Sequence, residues 1–315
     1  MRIVIFTDAN TITSARLVRA TLQWAARREG CRVIGFVTTR PTDFRPGIPG
    51  QTRALLRRAT VAATNANVPF RSVLDFELDL YRLGIPVFVP PGDNPNDPAF
   101  VQDLAAQLKP DLLLSFYCRQ RLGRRLRSTC KHAVNYHDGL LPDYGGVMAT
   151  AFSIFAGEPS SGFTFHHMSG KLDAGPILIQ DAVPINETVH LDQVVQHKST
   201  AAAKTIPRLL ERLSTGDSGR PQERPGSFYS GHDWMAMVNL SRPENATRKE
   251  ILRRIRAFGL VNLTIGGEIY PATRIRSARP GDKLAFRTAD NQSLTPDRFQ
   301  GLPSLLYRSG PDSTD

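Results

Sequence analysis

The stretch "DPAFVQDLAAQLKPDLLLSFYCRQRLGRRLRSTCKHAVNYHDG", Asp97 to Gly139, decides the fold. Asp97 is placed to cap a helix whose first position is Pro98, a residue with no N–H to lose there. "DLLLSF" then reads as a short strand, Arg121–Ser128 as a short helix, and "HAVNYH" as a second strand. Upstream, "RIVIF" (Arg2 to Phe6) is a buried strand. A helix follows, with Ser14 as its N-cap and Gly30 closing it. "CRVIGFVTT" and the start of "GIPVFVPPGD" are further strands. Between them lie a Pro/Gly loop, "RPTDFRPGIPG", and a helical pattern over Arg53–Asn65. Strands that alternate with helices imply a mostly parallel α/β sheet covered on both faces. In such sheets ligands sit beyond the carboxyl ends of the strands. "FYCRQ" and "NYHDG" both fall at those ends.

Downstream, "ATAFSIFAGE" predicts a helix, "SGFTFHHMS" a strand, and "KLDAGPILIQDAVPI" a turn followed by a strand. A long amphipathic helix comes next. Its stripe is Leu191, Val194, Val195, Lys198, Ala202, Ile206, Leu209, Leu210 and Leu213, with a kink expected at Pro207. Composition then turns rich in Gly, Pro and Ser. The expected layout is therefore a catalytic domain over 1–215, a linker over 216–230, a small α+β domain over 231–308 and a disordered tail over 309–315. In the small domain Thr247 and Glu250 form a capping box for a helix through Phe258. "LVNLTIGGEIYPATRI" is a Gly-Gly hairpin, and "DKLAFRT" another strand.

At 315 residues the chain is long enough for one large and one small domain. No apolar run approaches the roughly 20 residues of a membrane span. The opening "MRIVIFTDAN" lacks the long apolar region of a secretion signal, so a cytoplasmic location is expected. Three scattered cysteines, Cys31, Cys118 and Cys130, fit reduced thiols rather than a disulfide framework or a zinc site. The net charge of +11 is concentrated in Arg40, Arg45, Arg53, Arg57 and Arg58 and in "RQRLGRRLR", Arg119 to Arg127. Such a surface attracts anions, nucleic acid or nucleotide-linked metabolites among them, or simply forms a solvated face.

Asn135, His137 and Asp173 are the candidate catalytic residues. Histidine exchanges protons near neutral pH, an asparagine amide can hold an oxyanion, and a carboxylate can orient an imidazole. The set suits transfer of an acyl group to an amine. The same residue types also build ordinary turns, which is the plainer alternative. There is no GxGxxG, P-loop or GxSxG motif. His166 and His167 are neighbours on a strand and point to opposite faces, so no metal site is expected.

"AVNYHDGLLPDYGG" followed by "GEPSSGFTFHHMSGKLDAGPILIQ" resembles the folate-dependent formyltransferases, over roughly residues 1–215. The shared pattern is Asn135 with His137, Leu141-Pro142, Gly162–Thr164–His166, and Asp173 with Gly175. The resemblance implies a Rossmann-like sheet and 10-formyltetrahydrofolate as donor. It implies that His137 shuttles a proton, Asn135 stabilises the oxyanion and Asp173 holds the imidazole. The pterin is expected against Phe116, Tyr117, Cys118 and Leu122 on one side, and Met168 and Leu172 on the other. Arg119 and Arg121 would attract its glutamate tail. The acceptor is expected to be a primary amine on a small molecule, an amino-sugar nucleotide first and an amino acid or peptide precursor next, met by Asp138, Tyr144 and His166. His166 resembles the sugar and purine branches. Two positions depart from the pattern: Gly139 stands where many members have Ser, and Asp138 where Gly or Pro is common. Methionyl-tRNA formyltransferase is the alternative enzyme, with tRNA as its nucleic-acid partner. A non-catalytic basic RNA-binding or scaffold protein is the alternative of another class. No membrane partner is expected. The C-terminal domain is assigned to dimerisation, giving a homodimer, or to acceptor binding.

Overall fold

The computed structural model describes residues 1–7, 12–38, 83–118, 120–186 and 188–297. The helix expected over Arg53–Asn65, the first arginine cluster, Arg119 and the expected tail lie outside the described residues. The chain divides into two compact units, Met1–Gly231 and His232–Asp315.

The first unit is built on a seven-stranded sheet. Its strands are β1 (Arg2–Phe6), β2 (Arg32–Val37), β3 (Val87–Phe88), β4 (Leu112–Phe116), β5 (His132–His137), β7 (Ser160–His167) and β8 (Ile177–Pro184); β6 (Gly145–Gly146) stands apart from it. The order is β3-β2-β1-β4-β5-β7-β8. The first five are parallel, and β5–β7 and β7–β8 are antiparallel. Strands buried on both faces need no polar alternation, which is why "RIVIF" and "DLLLSF" read as unbroken apolar runs. Successive residues nevertheless serve different layers. Ile3, Ile5, Leu112 and Leu114 pack with α1 (Ile12–Ala25) and α5 (Leu191–Ser214). Val4, Phe6 and Leu113 pack with α2 (Pro98–Leu108) on the opposite face. Two shorter helices, α3 (Arg124–Arg127) and α4 (Ala149–Ala156), precede and follow β5 in sequence.

The Asp97 side chain caps α2 by accepting from the Phe100 N–H at 2.8 Å. Ser14 is not a cap: the helix already contains Ile12, so Ser14 lies in its first turn. Pro207 does not break α5, which is one helix from Leu191 to Ser214. The stretch expected to be a free linker is bonded along the first unit. Arg220 and Ile177 exchange backbone hydrogen bonds of 2.8 and 2.7 Å. β9 (Phe228–Tyr229) pairs in parallel with β6. Gly146, at φ +87°, brings these backbones so close that a Cβ there would lie 2.1 Å from the Tyr229 carbonyl oxygen.

The second unit contains α6 (Gly231–Val238), β10 (Asn239–Leu240), α7 (Arg248–Phe258) and the hairpin of β11 (Val261–Ile265) and β12 (Glu268–Ala272). Gly266 and Gly267 both have positive φ, 59° and 86°, as a tight two-residue hairpin turn requires. Thr247 caps α7 through the Glu250 N–H at 3.2 Å. A second small sheet is made of β13 (Arg274–Ser277), β14 (Phe286–Arg287) and β15 (Ser293–Asp297). The strand expected over "DKLAFRT" shrinks to the two residues of β14. Ile251, Ile255, Val261, Leu263 and Leu294 form the core of this unit. Among the described residues, no helix is long and apolar enough to cross a membrane.

Candidate active site

The antiparallel register of β5 and β7 sets Asn135 opposite His166 and His137 opposite Thr164. Asn135 and His166 thus meet across the ladder, Nδ2 to Nε2 at 3.3 Å. The turn after β7 carries Asp173 back to the same place. Its Oδ2 lies 3.6 Å from His137 Nδ1 and its Oδ1 3.5 Å from His166 Nε2. The Gly146 N–H donates to Oδ2 at 2.8 Å, so the two-glycine strand β6 helps to fix the carboxylate. The three residues expected to act together are therefore assembled, with His166 as a fourth member. His166, expected as an acceptor contact, is buried and turned into the cluster.

Four of the seven non-glycine residues with positive φ among the described residues are Tyr117, Tyr144, Met148 and Asp173. Left-handed backbone at such residues costs about 1 kcal/mol or more each and gathers where geometry is demanded by a site. Tyr144 shows the use made of it, since its carbonyl accepts from His137 Nε2 at 2.7 Å. A carbonyl cannot donate, so Nε2 carries the proton and a neutral imidazole turns a bare Nδ1 toward Asp173. Only the doubly protonated ring satisfies both partners. Burial, however, pushes the His137 pKa below its usual value, while the Asp173 charge pulls it back up. Asp173 is held down at about 2: burial alone would raise it, but the His166 contact, the His137 charge and the Gly146 N–H together outweigh that. An ionised carboxylate thus faces an imidazole whose net shift favours the neutral form, the form a general base starts from.

Asp138, expected to meet the acceptor, is engaged largely within the protein. Its Oδ1 takes Lys198 Nζ at 2.9 Å and the Tyr136 hydroxyl at 3.1 Å, and its Oδ2 takes the Thr150 hydroxyl at 2.6 Å. Three donors from inside the protein thus engage the carboxylate. Gly139 is explained by crowding: a Cβ there would lie 2.7 Å from His137 Nε2 and 2.8 Å from both Ala149 Cβ and the Tyr144 carbonyl. A serine at this position would press on the imidazole. The turn is also pinned from β7 and β8, where Thr164 donates to the Gly139 carbonyl at 2.7 Å and Gln180 to the Leu141 carbonyl at 2.7 Å.

The residues expected at the pterin separate into two groups. Cys118, Leu122 and Met168 come together on the α2 side of the sheet, and Leu172 stands 49% exposed beyond them. Arg121 and Arg127 join the two flanking loops by donating to the carbonyls of Gly170 and Met168. Phe116 is wholly buried in the opposite core layer, so its side chain is no pterin contact. Tyr117 also turns that way, its hydroxyl donating to that of Tyr136 at 3.4 Å. Strand periodicity shows that neighbouring side chains diverge but not which face a ligand approaches. Cys31, Cys118 and Cys130 form no disulfide with one another.

Tyr144 remains at the rim of the site. Its hydroxyl donates to Glu158 at 2.6 Å, and its ring lies 5.9 Å from that of Tyr229, which stacks on Phe152 at 3.9 Å. A cavity of about 160 Å³ is lined by Gly139, Leu140, Tyr144, Ser153 and Glu158. Lys198, Thr150, Thr164 and Gln180 escaped notice as site residues. For Lys198 the signal was present, a lysine within an otherwise apolar helical stripe, because lysine is almost never sealed inside unless paired.

An α/β sheet with an Asn–His–Asp cluster at a strand's carboxyl end fits acyl transfer to an amine. Residues 87–210 match the formyl transferase family. Over 129 residues it is 31% identical to the GDP-perosamine N-formyltransferase of Brucella melitensis biotype 1, covering 41% of this chain and 50% of that protein. The chain thus spans about half the length of the curated relatives it matches. In fold it is similar to a sugar N-formyltransferase from a Shewanella species, with 17% identity, coverage of 95% and 97% of the two chains and a TM-score of 0.60. It is also similar to HypX from Aquifex aeolicus in complex with tetrahydrofolic acid, with 16% identity, coverage of 93% and 43% and a TM-score of 0.58.

Proposed function

We propose that the protein transfers a formyl group from 10-formyltetrahydrofolate to the primary amine of a small molecule, an amino-sugar nucleotide before an amino acid or peptide precursor. The observation that carries this reading is the convergence of His137 and His166 on Asp173, with Asn135 joined to it through His166, inside the span that matches the formyl transferase family. The relatives that are sugar N-formyltransferases support the amino-sugar choice. The fold shared with HypX, solved with tetrahydrofolic acid, supports the donor.

Cys118, Leu122, Met168 and Leu172 would hold the donor, and their apolar side chains suit a flat heteroaromatic ring. When bound, the donor supplies an electrophilic formyl carbon. The lone pair of the acceptor amine forms the new C–N bond, and the formyl oxygen gains negative charge. Asn135 offers its amide N–H to that oxygen. His137 takes the proton that the amine must lose and returns it to the folate nitrogen as the old C–N bond breaks. For that it gives up the Tyr144 carbonyl and takes the other tautomer, with the proton on Nδ1 donated to Asp173 and a bare Nε2 turned to the substrate nitrogen. Asp173 stabilises the imidazolium that forms in between, while His166 and the Gly146 N–H hold the carboxylate in place.

The test is tetrahydrofolate formation from 10-formyltetrahydrofolate, with amino-sugar nucleotides, amino acids and Met-tRNA offered separately. Turnover is expected with an amino-sugar nucleotide. Turnover with Met-tRNA alone would replace the acceptor, and none with any amine would remove the reading.

A further inference from the structure

Lys198 is 0% exposed, in the middle of α5 on the face that also buries Val194, Ala202 and Ile206. An ammonium sealed from water is costly unless its donors are all used, and these are. Nζ donates to Asp138 Oδ1 at 2.9 Å, to the Asp138 carbonyl at 2.9 Å and to the Thr150 hydroxyl. Thr150 in turn donates to Asp138 Oδ2, and the hydroxyls of Tyr117 and Tyr136 continue the chain on the other side. A pair of well-packed apolar residues would serve stability at least as well, so stability alone does not account for this one. Its location does, because Asp138 is the residue immediately after His137.

We propose that Lys198 is a positioning residue that acts through Asp138: it offsets the carboxylate beside His137 and pins the turn, so that the imidazole answers chiefly to Asp173. This rests on the formyl-transfer reading only for its consequence in turnover; the electrostatic claim stands apart from it. The groups facing His137 are Asp138 from its own strand end, the Tyr144 carbonyl from the following loop, His166 from β7 and Asp173 from the turn after β7. Thr150 from α4 and Lys198 from α5 reach it through Asp138. Of these, only Lys198 is a fixed cation.

The experiment is an NMR titration of the His137 ring in the full chain, assigned by its loss in His137→Gln. Lys198→Met exposes the imidazole to the uncompensated Asp138 charge and is expected to raise the His137 pKa by about one unit. Lys198→Met/Asp138→Asn removes both charges and returns it to the wild-type value. Lys198→Gln keeps two donors and carries the test if the methionine variant does not fold. Single variants that titrate like wild type, or a double variant that titrates like the single, overturn the proposal. In turnover, the acid limb of kcat shifts upward by the same amount in Lys198→Met. A ring that shifts in a protein that turns over no amine would leave the positioning claim intact and remove the proposed function. Normal turnover with an unshifted ring would do the reverse.

Discussion

Asp173 approaches His137 from the turn after β7, and Asp138 approaches it from the next position along its own chain. Asp173 lies within reach of two imidazoles and accepts one backbone N–H, and among the described residues no lysine or arginine is paired with it. Asp138 receives a buried ammonium and two hydroxyls. The first carboxylate stays ionised and able to respond when the imidazole gains a proton. The second is internally neutralised and mechanically tied. Two like residues thus act differently because of what the rest of the fold brings to them. One is set for charge that comes and goes, the other for charge that must stay silent.

The comparison breaks first on the Asp173 side. His137→Asn is expected to lower kcat by about a thousandfold, the usual share of a general acid and base. Asp173→Asn is expected to lower it by at least about a hundredfold with KM less affected, measured by tetrahydrofolate release. On the Asp138 side the effect falls on stability. Lys198→Met leaves the partly buried Asp138 carboxylate without its cation and costs about 3 kcal/mol in urea unfolding, much of which Lys198→Met/Asp138→Asn recovers. Gly139→Ala tests the space between the two. Its methyl meets His137, Ala149 and the Tyr144 carbonyl, so a loss of about 1–3 kcal/mol is expected, with a disturbed His137 titration. The smallest effect lies in acid. Asp173 is held at about 2, below its unfolded value, so the unfolded chain binds its proton first as pH falls. Its contribution of about 2 kcal/mol is complete above about pH 4 and gone below about pH 2. Acid unfolding of Asp173→Asn should be flatter across that window.

Much of the frame was legible in the residues. "RIVIF", "DLLLSF" and "HAVNYH" form strands because their apolar runs are buried on both faces, and Asp97 and Thr247 cap helices because their side chains reach an unpaired N–H. Asn135, His137 and Asp173 were legible as a set. The rest depends on pairings distant in sequence. Glycine and proline between Gly216 and Gly231 signal a break in composition, yet Gly146 and Gly226 let backbones touch, and the segment lies bonded along the first unit. Asp138 looked free for an acceptor because nothing near it in sequence reveals Lys198, which arrives from a helix beyond two strands. Phe116 and Tyr117 looked available to a pterin because both faces of a central strand carry similar residues.

The most direct measurement of the central claim follows a labelled formyl group from 10-formyltetrahydrofolate to nucleotide-linked amino sugars in a single turnover, with wild type and Asp173→Asn compared. The wild type is expected to yield labelled N-formyl sugar and equimolar tetrahydrofolate, with Asp173→Asn folded but slower by at least about a hundredfold. Equal rates in the two proteins, or no labelled sugar from the wild type, would contradict the account.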